Sequence, residues 1–311
     1  MQTAGIHHVT AMSSDAQGNR DFYEGVLGLR MVKQTVNFDE PGTYHLYYGD
    51  GLGSPGTILT FFPIPGLPPG RDGAGVTELV ALAIPEGAAA AWRSRLDRLG
   101  VAFTEIGVGG VRPGLALADP DGMRIELVET GEVVAPRQWD AWVPAGMAIQ
   151  GVEGVTLASH HIADTQQALA SWLGLESDAE GVFRGHQALG GRVRVRDAGG
   201  ESVARLGAGT VHHIAFRSTD AGEQLQWLDH VRRAGGAPTP VQDREYFTSI
   251  YFREPGGVLL EIATDPPGFT RDEPTDALGS SLRLPAWLAA HRVRLLERLP
   301  ALETPRQESL R

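Results

Sequence analysis

The sequence of 311 residues contains no cysteine. Disulfides, thiolate metal sites, iron–sulfur clusters and cysteine nucleophiles are therefore excluded, which leaves histidine and carboxylate side chains as the strong metal ligands. The chain also lacks an excess of basic residues, because its formal net charge is −11 at pH 7. A surface that binds nucleic acid or an anionic membrane needs a basic patch, so we expect neither kind of partner.

Long hydrophobic runs are also missing. No stretch of about 18 apolar residues occurs, and no basic segment followed by an apolar run stands at the N-terminus. We therefore expect a cytoplasmic protein. Glycine, in contrast, is abundant at 40 residues, which indicates many tight turns. A hydrophobic fraction of 42% with 21% charged residues is typical of a packed globular core.

One small pattern of strand, helix and further strands occurs four times, each time over about 50–60 residues. Such a βαβββ module covers one apolar sheet face with its helix and leaves a concave face that needs a partner. The expected fold class is therefore α+β, with four modules in two tandem domains whose concave mixed sheets enclose a pocket. We predict an N-terminal domain at 1–133, a connector at 134–150, a C-terminal domain at 151–268, and a tail at 269–311 with a helix over 284–299.

Paired histidines open the first and the fourth module, in Gly-Ile-His-His-Val-Thr (5–10) and Val-His-His-Ile-Ala-Phe (211–216). Neighbouring residues of a strand point to opposite sides, so only one histidine of each pair can face the pocket. His212 shares its side with Ile214 and Phe216, the bulky side that suits the underside of a helix. The alternation therefore predicts that His213, and by the same argument His8, face the pocket.

A buried carboxylate accompanies the second histidine pair. Glu261 stands in Val-Leu-Leu-Glu-Ile-Ala (258–263), where a charge is costly unless it is paired or bound to metal. Aligning the modules puts Leu79 and Gly154 at the histidine position of the middle modules. The position of Glu261 is held by Thr60 in module one, by Glu126 in module two and by about Val195 in module three.

Only the fourth module combines the histidine with the glutamate, so we predict one metal built from both ends of the chain. Two histidines and one carboxylate with open positions are typical of non-heme Fe(II) oxygenases. A structural zinc site more often closes its coordination shell with protein ligands.

In order and spacing, several motifs resemble the vicinal oxygen chelate superfamily (glyoxalase, bleomycin resistance, extradiol dioxygenase), and more narrowly its ring-cleaving dioxygenases that act on hydroquinones. The likeness covers nearly the whole chain. Besides the histidine pairs, it is carried by Val26-Leu27-Gly28-Leu29-Arg30, Val32-Lys33-Gln34-Thr35-Val36, Tyr44-His45-Leu46-Tyr47-Tyr48, Arg244-Glu245-Tyr246-Phe247-Thr248-Ser249-Ile250-Tyr251, and Pro255-Gly256-Gly257-Val258 with Glu261.

The resemblance implies Fe(II) held by His8, His213 and Glu261. It also implies catalytic residues around the substrate, which are His7, His212, Arg244 and Tyr251. The implied partners are a small aromatic substrate and O2, and the implied reaction cuts the ring of a dihydroxybenzene beside a hydroxylated carbon. The oligomeric state stays open, with a homo-oligomer as one option.

Simpler interpretations stand beside these. The buried histidines could be satisfied core residues, Glu261 a buried ion pair, Arg244 a solvated charge and Tyr251 a core aromatic. A glyoxalase-like isomerase or lyase would share the fold, with zinc or nickel and a fourth protein ligand. Thr60 stands where that fourth ligand would be a carboxylate, which argues against this function. Glu126, in contrast, is a carboxylate at the matching position of module two and remains a rival ligand. A metal-free small-molecule-binding protein would keep the fold and lose the ligands.

Overall fold

The computed structural model describes residues 1–107, 112–131, 139, 142–186 and 190–305. The first half of the chain provides strands β1 (Ile6–Ser13), β2 (Arg30–Val36), β3 (Tyr44–Gly49), β4 (Ile58–Pro63), β5 (Val76–Pro85), β6 (Phe103–Ile106), β7 (Gly114–Ala118) and β8 (Arg124–Thr130). The second half provides β9 (Gly151–Ser159), β10 (Glu176–Ser177), β11 (Val182–Arg184), β12 (Arg192–Asp197), β13 (Val211–Ser218), β14 (Gln242–Asp243), β15 (Thr248–Arg253) and β16 (Leu259–Thr264).

These strands form two sheets of eight strands. The first sheet has the order β14-β15-β16-β13-β1-β4-β3-β2, and the second sheet has the order β10-β11-β12-β9-β5-β8-β7-β6. In each sheet one antiparallel pair joins two modules: β1 with β13 in the first sheet, and β5 with β9 in the second. The first sheet thus combines modules one and four, and the second combines modules two and three.

Each module contributes one helix to cover its sheet. These are α1 (Ala16–Arg20), which continues as a π-helical turn (Asp21–Val26), α2 (Ala89–Leu99), α3 (Ile162–Leu173) and α4 (Ala221–Arg233). Helix α4 illustrates how the sequence determines where a helix begins and which face it buries. The Asp220 carboxylate caps it by accepting from the Glu223 amide at 2.8 Å, and Gln224, Trp227 and Val231 form its buried face.

The core lies between the helices and the sheets. Trp92 of α2 and Trp227 of α4 are fully buried there. Burying such a side chain contributes roughly 1.5–3 kcal/mol or more, so the apolar helix faces hold the modules together. The predicted α+β class is confirmed. The predicted domain boundaries stay predictions, and of the connector residues 134–138 and 140–141 lie outside the described ranges.

The C-terminal tail differs from its prediction. Instead of one helix over 284–299, Pro285 precedes a 3₁₀ segment (Ala286–His291), followed by α5 (Arg292–Leu296). A 3₁₀ segment has about three residues per turn, so the apolar residues do not stay on one face. Leu288, Leu295 and Leu299 are buried, whereas Trp287, Val293 and Leu296 are exposed.

An earlier part of the tail, with 3₁₀ turns at Phe269–Arg271 and Thr275–Ala277, is held against β2 by a buried charge. Lys33 is fully buried, and its Nζ contacts Asp272 Oδ1 at 2.6 Å and the Glu273 carboxylate. In the described part of the chain, no helix is long and apolar enough to cross a bilayer.

Candidate metal centre

Three side chains of the first sheet converge on one point. The Nε2 atoms of His8 and His213 lie 3.4 and 2.8 Å from Oε2 of Glu261. One ligand atom from each residue lies within 4.8 Å of the other two, and all three side chains are buried. Among the described residues this is the one cluster of three or more histidine, cysteine or acidic side chains close enough to hold a metal ion.

The sheet register explains the convergence. Glu261 of β16 pairs with Ala215 of β13, which also pairs with His8 of β1. His213 pairs with Thr10, two residues after His8 and therefore on the same face. Strands from both ends of the chain thus place the three predicted ligands side by side.

Two β-bulges modify the predicted alternation of the histidine pairs. The pairing of β1 with β13 skips His7 in one strand and His212 in the other, so both are extra residues of bulges. The bulges bring His7 Nδ1 to 2.9 Å from His8 Nδ1, and His212 Nδ1 to 2.8 Å from His213 Nδ1. His212 is half-buried beside a surface cavity instead of lying beneath α4.

These contacts between rings orient the candidate ligands. Burial keeps the pKa of His7 well below its ordinary value and lowers that of His212 to about 3, so both rings are neutral. If the Nδ1 of His8 and of His213 donates to the preceding histidine, each Nε2 lone pair is free to face the ion. A hydrogen bond on the remote nitrogen is the usual support for a metal-bound imidazole.

The donor set fits a divalent metal. Oε1 of Glu261 accepts a hydrogen bond from the Ser249 hydroxyl, whereas buried Oε2 has no hydrogen bond among the described residues, although two ring nitrogens lie near it. Burial would raise the pKa of Glu261, but its interactions with His8 and His213 outweigh that effect and hold the pKa well below its usual value. An ionised carboxylate and two imidazoles, with nothing else bonded to Oε2, suit a metal ion.

The opposite wall carries a chain of hydrogen-bonded side chains, namely Tyr47, His45, Thr60 and Thr10. The Tyr47 hydroxyl lies 2.8 Å from His45 Nδ1, and His45 Nε2 lies 2.6 Å from Thr60 Oγ1. Thr60 in turn donates to Thr10 Oγ1 at 3.1 Å. Thr60 occupies the position that Glu261 has in module four, so no carboxylate is present there as a fourth ligand, and the Thr60 hydroxyl is already engaged in these hydrogen bonds.

Arg244 and Tyr251 lie together at the rim of the centre. Arg244 Nε donates to the Tyr251 hydroxyl at 3.1 Å, and the Tyr251 ring stands edge-on to His213 at 5.6 Å. Tyr251 also pairs directly with Glu261 across β15 and β16. Burial raises the pKa of Tyr251, so its hydroxyl keeps its proton.

The loop that carries Arg244 has an unusual backbone. The amide of Tyr246 donates to the carbonyl of Arg244 at 2.8 Å, around Glu245 with φ of 65°. Non-glycine residues seldom adopt this region, and such positions cluster at functional sites. The tight turn directs Phe247 toward the centre, where its ring lies 5.0 Å from that of His8.

The second sheet has the same bulges without the same ligands. The pairing of β5 with β9 skips Glu78 and Glu153, the counterparts of His7 and His212. Leu79 and Gly154 then occupy the positions of His8 and His213. The register also corrects the alignment of module three: Arg194, rather than Val195, holds the glutamate position, because Thr156 pairs with Arg194.

Glu126, the rival ligand, therefore lies on the second sheet, away from the histidine cluster. Its pKa is raised by burial. Arg124, two residues earlier in β8, contacts Asp72 at 2.5 Å.

Two curled sheets of βαβββ modules and a histidine–histidine–glutamate cluster define the class of protein. The model of the Glyoxalase/Bleomycin resistance protein/Dioxygenase superfamily matches residues 5–127 and 146–262, and the chain belongs to this superfamily.

Several relatives of this chain are named as ring-cleaving dioxygenases. MhqO of Bacillus subtilis (strain 168), whose name assigns it provisionally to these enzymes, is 44% identical over 97% of both chains. Chlorohydroquinone/hydroquinone 1,2-dioxygenase of Sphingobium indicum is 32% identical over 90% of this chain and 91% of its own length. These similarities support an enzyme of the dioxygenase kind.

Solved structures agree with this placement. A crystal structure from Bacillus subtilis, titled provisionally as a dioxygenase, superposes with a TM-score of 0.92 at 42% identity and covers 97% of this chain and 98% of its own. Glyoxalase I from Zea mays superposes with a TM-score of 0.62 at 14% identity, covering 84% of this chain and 92% of its own. The second likeness concerns the fold alone.

Proposed function

We propose that this protein is an Fe(II)-dependent dioxygenase that cleaves the ring of a hydroquinone or a related dihydroxylated aromatic compound. The observation that carries the proposal is the buried cluster of His8, His213 and Glu261, a donor set typical of non-heme iron oxygenases. The printed names of the relatives supply the substrate class. In the proposed reaction both atoms of O2 enter the product, while the bond beside a hydroxylated ring carbon breaks.

His8 Nε2, His213 Nε2 and the Glu261 carboxylate would hold the iron. When bound, Fe(II) would supply Lewis acidity that lowers the pKa of a substrate hydroxyl, and open positions that keep both reactants together. His7 and His212 would act as positioning residues, because each engages the Nδ1 atom of one candidate ligand. They would fix the ring orientation and the tautomer of that ligand.

Tyr251 and Arg244 would stabilise negative charge on the substrate. Arg244 Nε–H donates to the Tyr251 oxygen, so the hydroxyl hydrogen of Tyr251 remains available for a substrate oxygen. Because burial raises the pKa of Tyr251, that hydrogen is retained at neutral pH. A preorganised donor at a buried site stabilises a developing oxyanion better than water does.

The aromatic wall suits a planar substrate. Phe247 lies beside His8, and Phe62 lies edge-on to His212 at 5.8 Å and 4.4 Å from the His45 ring. Apolar and aromatic surfaces around a few polar groups are the usual composition of a small-molecule site. This composition supports an aromatic compound as the substrate.

Metal removal and replacement tests the proposal. The protein is treated anaerobically with a chelator, dialysed, and reconstituted with Fe(II), Zn(II) or Ni(II), and O2 uptake is then followed with hydroquinone. We expect chelation to abolish uptake and Fe(II), but neither Zn(II) nor Ni(II), to restore it. O2 uptake that survives chelation, or that Zn(II) restores, would contradict the proposal. Isomerase activity on a glutathione thiohemiacetal with Ni(II) would favour the glyoxalase-like alternative.

A further inference from the structure

The second sheet has a cavity of about 440 Å³ on the face that corresponds to the candidate metal centre. Its floor is the junction of β5 and β9, where Ala81 pairs with Gly154. On one side of this pair Ala81 also pairs with Glu126 of β8, and on the other side Gly154 also pairs with Arg192 of β12. Because the two middle residues have a methyl group or no side chain, a hollow remains between the charged walls.

Packing explains why this face holds no metal ligand at the position of Gly154. A Cβ atom there would lie 2.6 Å from the backbone oxygen of Arg192, far inside normal contact. Leu79, at the position of His8, offers no ligand atom either. Of the four positions that correspond to His8, His213, Glu261 and Thr60, only Glu126 could bind a metal, so this cavity needs a different kind of ligand.

The charges of the cavity walls point to an anion. Arg112 and Arg192 contact Glu153 at 2.6 and 2.9 Å, and Arg184 contacts Asp178 at 2.7 Å. Arg194, in contrast, forms no direct ion pair in the described part of the chain, and it acts on Glu126 of the same cavity only through its charge, which opposes the rise that burial causes in the pKa of Glu126. A guanidinium without a direct ion pair, inside a concavity of a protein with a net charge of −11, is a local site for negative charge.

Apart from Glu126, Glu180 and Thr156, the remaining lining is apolar. Leu79, Ile106, Val128 and Val182 contribute to the walls beside the small floor. The volume lies in the range of roughly 300–1,000 Å³ that small-ligand sites occupy. A guanidinium binds a carboxylate through two parallel hydrogen bonds, and an apolar body would then cover the hydrophobic lining.

We propose that the cavity of the second sheet is a metal-free binding site for a small organic carboxylate with a ring-sized apolar body. The carboxylate contacts Arg194, and the body lies over Leu79 and Ala81. The site is separate from the candidate metal centre and does not depend on the proposed dioxygenase activity.

Isothermal titration of the full-length protein with benzoate tests this site. We expect one benzoate per chain, with a dissociation constant on the order of 1 mM or lower, and at least about tenfold weaker binding to Arg194→Gln. Arg124→Gln is the matched control, because Arg124 is also an exposed arginine of the second sheet but does not line the cavity. It should bind within about twofold of the unmodified protein.

Further measurements locate the binding and establish the ligand class. Glu261→Gln should bind benzoate normally, because it alters only the other sheet, whereas Ala81→Phe should fill the floor and prevent binding. Benzyl alcohol, which has the ring without the charge, should not bind. Each variant is checked by circular dichroism and by its melting temperature.

Three outcomes would overturn the proposal. They are no saturable binding up to on the order of 10 mM benzoate, equal loss in both arginine variants, and loss in Glu261→Gln.

Discussion

The two sheets share a topology and differ in chemistry. Both join their modules through an antiparallel strand pair with one bulge in each strand, and the bulge residues are His7 and His212 in the first sheet but Glu78 and Glu153 in the second. In the first sheet each bulge residue supports a neighbouring imidazole. In the second, Glu78 binds Arg196 through both carboxylate oxygens. The same backbone irregularity thus serves a ligand set in one sheet and ion pairs in the other.

Replacing one histidine should show the difference between the two sheets most clearly. We expect His8→Ala to lose bound iron and to lower the rate of hydroquinone-dependent O2 uptake at least about 1,000-fold, because a two-ligand site holds the metal poorly. Leu79→Ala, at the same position of the second sheet, should leave both properties unchanged. Iron per chain and O2 uptake are measured after anaerobic reconstitution. His8→Ala with normal iron and turnover would show that the centre is misassigned.

The ion pairs of the two sheets should also differ in how much they contribute to the free energy of unfolding. Lys33→Met should lower the free energy of unfolding by about 3 kcal/mol, because it removes the buried cation that Asp272 and Glu273 share and leaves Glu273, in the described part of the chain, only the cationic contact with Arg283 Nε at 3.2 Å. Arg124→Met breaks an exposed pair with Asp72 and should cost less than about 1 kcal/mol. Urea denaturation measures both changes. Equal costs would mean that the tail is not held by this ion pair.

A smaller effect distinguishes the two walls of the metal centre. Tyr47 and Tyr251 occupy equivalent positions, paired with Thr60 and Glu261 respectively. Tyr251→Phe should lower kcat about 100-fold with iron content unchanged, because the oxyanion loses a donor. Tyr47→Phe loses a hydrogen bond to His45 and should lower kcat less than about tenfold. The opposite order would place the substrate oxygen on the Thr60 side.

The smallest expected effect concerns the glycine that replaces His213 in the second sheet. Gly154→Ala should destabilise the protein by about 1–2 kcal/mol, because the new methyl group meets the backbone of β12. Gly200→Ala, where no atom lies within 4 Å of the added carbon, should stay within about 0.5 kcal/mol of the unmodified protein. Thermal and urea unfolding measure both. If Gly154→Ala were neutral, crowding would not explain why this position lacks a ligand.

The repeat pattern was sufficient to predict the α+β class and the four helices, because each module shows its periodicity locally. It also predicted which side chains share the site, since His8, His213 and Glu261 fall on matched strand positions. The bulges at His7 and His212 could not be predicted, because an extra residue in a strand is decided by pairing with a strand about 200 residues away in sequence. The same cause shifted the third-module alignment from Arg194 to Val195.

The tail shows a second limit of sequence reasoning. Its apolar residues suggested one helix over 284–299, but Pro285 and the 3₁₀ turn alter the spacing of the buried residues. The leucines indicated a helical tail, whereas the contacts that each leucine makes depend on a surface assembled from distant strands.

The order of modules along the chain has a consequence for biosynthesis. All strands of the second sheet lie between residues 76 and 197, nested between the two halves of the first. A nascent chain can therefore complete the second sheet before β13 is available to pair with β1. The long segment between β1 and β13 must then close into a loop before the histidines come together. The candidate centre is thus among the last parts to form on the ribosome, and a chain that stops before Glu261 would fold in part without gaining it.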